Sequence, residues 1–146
     1  MYRRRTNPIL ILITIFFTFF IVIFLLIPSG SNHAEKTVHS FYQYEQEGNF
    51  SSSWQLLHPT IQERFPISSY IQDRAHVFMG HFGTDSFEYT LENPNKVSNF
   101  QMNDEKTIDG YSIKVHQYYD SKYGQLTLTQ NVIVSKVEKE WLIFWE

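Results

Sequence analysis

The sequence predicts an α+β fold, with helices first and a curved antiparallel sheet after them, preceded by a transmembrane helix. Three observations carry this. Nineteen residues from Ile9 to Ile27 contain only Ile, Leu, Phe, Val and two threonines. The stretch after Ala34 repeats its apolar residues at helical spacing, and from Phe87 onward apolar and polar residues alternate.

At about 1.5 Å per helical residue the first run is about 28 Å long, close to the hydrocarbon thickness of a bilayer, about 30 Å. Its apolar residues go all round the helix, and Thr14 and Thr18 are expected to bond back to their own carbonyls. Arg3, Arg4 and Arg5 stand just before it and act as topology determinants that hold the N-terminus in the cytoplasm. A cleaved secretory signal is the competing reading, with Ser29, Gly30 and Ser31 as small residues at the cleavage site; signal cores are shorter, so a retained anchor is expected. The resulting division is a basic cytoplasmic tip (1–8), a single span (9–27), a linker (28–33) and an extracytoplasmic domain (34–146), placed at the plasma membrane.

The 114 residues from His33 to Glu146 are enough for one domain with its own core. The chain has no cysteine, so that core holds without disulfides. Beyond the three arginines there are nine Lys and Arg against fifteen Asp and Glu, a formal charge of −6. Nucleic acid and other polyanions are repelled on average by such a surface.

Ala34 to Gln46 is one amphipathic helix, with Val38, Phe41, Tyr42 and Glu45 on adjoining turns and Gly48 as its stop. Ser51 to Ser53 cap a second helix carrying Trp54, Leu57 and Ile61, which Pro59 breaks or restarts. Ser68 caps a third through Tyr70, Ile71 and Arg74, and Gly80 and Gly83 mark looser chain. Strands follow: Phe87 to Leu91, a short one at Phe100 and Met102, one whose Tyr111, Ile113, Val115 and Tyr119 share a face, one carrying Leu126, Leu128, Val132 and Val134, and a last one with Trp141, Ile143 and Trp145. A tight turn at Glu138 and Lys139 sets Val134 opposite Ile143, and the same apolar set then lies on one side of the sheet.

This order, and the wording of the stretch from Tyr44 to Pro59 (YEQEGNFSSSWQLLHP), resemble the NTF2-like superfamily. The closing hairpin from Val134 to Trp145 is similar to that family's last hairpin. The closest likeness is to the NTF2-like domain at the N-terminus of membrane-anchored penicillin-binding transpeptidases. The resemblance covers most of residues 34–146 and implies a cone of helices packed on a curved sheet. It departs from the transpeptidase pattern at Glu146, where no domain with a nucleophilic serine follows, so the expectation is the accessory module alone.

Enzymes of the NTF2-like kind, as the resemblance implies, place an acid or a histidine inside the cone. None of the inward strand positions here is Asp, Glu or His, so no catalytic residue is expected. The polar interruptions are Gln117 and Gln130, read as a mutually bonded amide pair or as contacts for a small polar ligand. With Phe41, Trp54 and Tyr111 they make up the pocket candidates. His76 and His81 lie five apart, a spacing that does not share an α-helical face, and with His58 they complete no zinc signature; neither a metal nor a cofactor is expected. No nucleophile elbow and no phosphate loop occurs. On the outer sheet face Tyr118, Tyr123, Ile133 and Val137 form a candidate partner surface.

The functional expectation is a non-enzymatic, single-pass membrane protein with an extracytoplasmic NTF2-like interaction domain. It serves as an accessory part of a cell-envelope assembly through a protein partner or self-association. A small-ligand binder in the cone is the alternative, and an enzyme the third reading.

Overall fold

The computed structural model describes residues 8–26, 29–102 and 106–145, without the side chains of 8, 23–26, 78 and 79. Arg3, Arg4, Arg5, Ile27 and Pro28 lie outside them. Five α-helices precede five strands: α1 (Pro8–Leu26), α2 (Gly30–Gln46), α3 (Phe50–Gln55), α4 (Pro59–Arg64), α5 (Ile67–Ala75), then β1 (Glu88–Leu91), β2 (Asn95–Gln101), β3 (Thr107–Ser121), β4 (Gly124–Val137) and β5 (Glu140–Phe144). A π-helical turn, His76–Phe82, continues α5.

The α+β order agrees with the sequence pattern, but the transmembrane part of the expected fold class does not stand. Among the described residues no helix is long and apolar enough to cross a membrane. Within α1 the hydroxyls of Thr14 and Thr18 each donate to the carbonyl four residues back, at 2.8 Å.

α2 begins at Gly30, earlier than the periodicity suggested, because the Ser29 hydroxyl accepts from Asn32 N at 3.3 Å and caps it. It therefore takes in most of the stretch read as a linker. Its buried residues Ala34, Val38, Phe41, Tyr42 and Glu45 make one stripe. Pro59 starts α4 at its first turn, where the missing N–H is unneeded. α5 starts after Pro66 with no side-chain cap, so Ser68 is inside the helix rather than at its end.

The sheet runs β1-β3-β4-β5, with β2 also on β3. Val134 pairs with Ile143 and Ser121 with Gly124, and the pairing of β2 with β3 shifts between Val97 and Phe100. The outer edge of β5 is closed by the segment joining α3 to α4. There Ile143 N donates to Leu56 O at 2.8 Å and His58 N to Ile143 O at 2.7 Å. The core lies between α2 and the concave face, where Val38, Phe41, Ile113, Val115, Val132, Val134 and Ile143 are fully buried.

Two local devices hold this frame. Gly110 on β3 lies so close to β4 that a Cβ there would sit 2.1 Å from Val134 O. Gly110→Ala is therefore expected to push the strands apart and to lower stability by about 2 kcal/mol or more, read as a lower urea midpoint at an unchanged slope. His58 caps α4 by accepting from Thr60 N on its Nδ1 at 3.2 Å. Burial, then Lys106, holds the pKa of His58 below the usual 6.5, with Glu63 opposing. The folded state thus prefers the neutral ring. Its stabilising contribution is complete above pH 6.5 and is lost as pH falls through the lowered folded value. His58→Asn, which keeps a capping acceptor, is expected to flatten the stability curve on the acid side of pH 6.5 in thermal unfolding.

Candidate functional site

The concave face opens between α5, its π-helical extension and β4, where a cavity of about 230 Å³ is walled by Phe65, Tyr70, Val77 and Trp145 with Asp73, Arg74 and Gln130. Its inner wall is a polar cluster built entirely by helices. Glu45 enters from α2, where it follows Val38, Phe41 and Tyr42 on the buried stripe, and it is 2 % exposed. A carboxylate so placed needs partners, because an unpaired buried charge costs several kcal/mol.

Its partners come from two further helices. The Ser53 hydroxyl of α3 donates to Glu45 Oε1, and the Tyr70 hydroxyl of α5 donates to the same oxygen at 2.8 Å. Arg74, one turn beyond Tyr70, brings its Nε to 2.9 Å from Glu45 Oε2 as an ion pair and to 3.4 Å from the Tyr70 oxygen. The Arg74 guanidinium also sits over the rings of Tyr70 and Trp145, at 5.4 and 5.8 Å from their centres. Burial alone would lower the Arg74 pKa, but Glu45 and Tyr70 outweigh it and raise it above its ordinary range. Burial raises the hydroxyl pKa of Tyr42, Tyr70 and Tyr119, against the lowering field of Arg74. These phenols stay protonated and serve as donors.

The two inward amides are satisfied separately. Tyr42 donates to Gln130 Oε1 at 3.1 Å and Tyr119 to Gln117 Oε1 at 2.6 Å. Their register explains this: Gln117 faces Leu128 and Gln130 faces Val115. Of the five pocket candidates only Gln130 lines the cavity. Phe41 is fully buried, edge-on to Tyr42 and Trp145. Trp54 donates its indole N–H to Phe65 O at 2.8 Å, Tyr111 packs on Trp141 at the far end, and Gln117 lies deep in the core.

The partner-surface candidates divide. Tyr118 and Tyr123 are 42 % and 72 % exposed, and Val137 is half-buried. Ile133 is buried, which removes it from that surface; Val97 and Phe100 of β2 line one hollow with it. Ile133 pairs with Phe144, whose ring is 6.1 Å from that of Phe100. On the outer face of β3, His116 meets Glu92 and Thr129, each at 3.0 Å.

The residues missed by the sequence reading were Glu45, Ser53, Tyr70, Asp73 and Arg74 as a site. A signal existed: Glu45 was already on the buried stripe, and an acid there demands a cation from elsewhere. The inward strand positions carry no Asp, Glu or His, whereas the helices supply Glu45 and Arg74. Among the described residues no group of three His, Cys, Asp or Glu side chains is placed to hold a metal.

Arg74→Leu is expected to destabilise the fold by about 3 kcal/mol, since it leaves the Glu45 charge buried and unpaired. Adding Glu45→Gln to it should recover a large part of that loss, and a double-mutant cycle in urea measures the coupling. No protein-family model matches this chain, and no curated protein does.

Proposed function

We propose that residues 34–146 are an NTF2-like interaction domain that is not an enzyme and that docks a protein segment on the open edge of β4. β3 holds one edge of β4 along its length, but β5 pairs only with Ile133 to Val137. Among the described strands nothing pairs with the other edge from Gly124 to Val132. That open edge is the observation that carries the proposal, because an extended chain can add to such an edge through main-chain hydrogen bonds. Beside it stand Leu128, 43 % exposed, and Tyr123, apolar groups of the kind that anchor a bound segment.

The polar cluster supports the non-enzymatic part. Glu45 Oε1 accepts from Ser53 and Tyr70, while Oε2 is held by its ion pair with Arg74 and accepts no hydrogen bond among the described residues. A carboxylate held so is part of the scaffold, not positioned to accept a proton from a substrate. A second reading, a small polar ligand, rests on the cavity beside Arg74, Gln130 and Trp145.

Photocrosslinking in the source cells separates them. Probes at Tyr123 and Leu128 are expected to give a discrete protein adduct that Thr127→Pro abolishes, since proline blocks pairing at an edge. Absence of an adduct at both positions, with folding intact, overturns the edge assignment. A specific small-molecule signal lost on Gln130→Ala favours the cavity instead.

A further inference from the structure

We propose that His76 and His81 form a two-imidazole site for a late divalent transition metal, with Cu²⁺ preferred. The two histidines are five positions apart, which in an α-helix would set them on different faces. The chain here is π-helical from His76 to Phe82, and bonding from i to i+5 brings the two positions onto one face. Their rings lie 4.6 Å apart between centres, nearly perpendicular at 80°. Both residues are exposed to solvent.

The spacing lets both rings reach one ion. With the metal about 2.0 Å from each ring nitrogen, two imidazoles at a right angle have ring centres about 4.5 Å apart, and at a tetrahedral angle about 5.1 Å. The observed 4.6 Å falls within that range, and Cu²⁺ leads the affinity series for nitrogen ligands. Water completes the coordination, since no third acidic or histidine side chain joins the pair among the described residues.

The turn is held in place rather than free to rearrange. Lys122 N donates to Phe82 O at 3.0 Å and Lys122 Nζ to Gly80 O at 2.9 Å, tying the end of the π-helical turn to the β3–β4 hairpin. Gly80 matters for the same reason: a Cβ there would sit 3.3 Å from His76 Nδ1 and crowd the ring. A π-helical segment inserted after a regular helix often marks a functional site.

Titration of the whole chain with Cu²⁺ and with Zn²⁺ against a competing chelator tests this. The expected result is one Cu²⁺ per chain, weakened at least about tenfold by His76→Gln and by His81→Gln singly, with Zn²⁺ weaker than Cu²⁺. The Cu²⁺ paramagnetic resonance spectrum should show coupling to two imidazole nitrogens, falling to one in either variant. Both positions are exposed, so the variants are expected to keep the unfolding temperature of the metal-free parent. Cu²⁺ affinity unchanged in both variants, or a spectrum with a single nitrogen in the parent, overturns the assignment. An equal loss on changing His39 or His116 instead would place the metal elsewhere and overturn it as well.

Discussion

A single buried carboxylate governs how the helices are set on the sheet. Glu45 lies on the face of α2 that packs inward, and a charge there is tolerated only while α3 and α5 deliver Ser53, Tyr70 and Arg74 to it. Three helices are thereby fixed against one another by one polar node. Hydrophobic burial alone would let α5 slide along the concave face; a charge that must be met within hydrogen-bond distance does not. The position of α5 in turn sets the cavity mouth and the direction in which the π-helical turn leaves it.

The same node separates two ways of filling a concave sheet. Deep in the hollow, Phe41, Tyr42 and Tyr119 occupy the space, with phenol hydroxyls satisfying the two inward amides. Toward the mouth the packing stops and the Arg74 guanidinium rests on aromatic faces. The interior is therefore dry and shaped at its base but polar at its rim.

What was legible in the sequence followed from strict periods. The period of two placed β3, β4 and β5 and set Val134 against Ile143, and the helical period found the α2 stripe down to Glu45. What was not legible came from departures from those periods. Alternation puts Ile133 on the outer side, but it is buried there, lining one hollow with Val97 and Phe100 of β2, which the pattern of one strand cannot reveal. α-Helical spacing sets His76 and His81 on different faces, and one wider turn reverses that geometry. The apolar run at the N-terminus reads as a span from composition, but among the described residues no helix is long and apolar enough to cross a membrane. Glu45 was seen as part of a stripe but not as a demand for a cation, because its partners are 8 to 29 positions away in sequence and no local rule joins them.

The chemistry of the uncovered part of β4 has one more consequence. From Gly124 to Val132 the chain reads Gly-Gln-Leu-Thr-Leu-Thr-Gln-Asn-Val, with neither proline nor any charged side chain to act as a gatekeeper. β-Branched and amide residues of this kind stack well against identical copies, so crowding of chains with this border bare favours ordered cross-β fibrils over amorphous precipitate. A strand added along this border would therefore also guard the chain's colloidal fate.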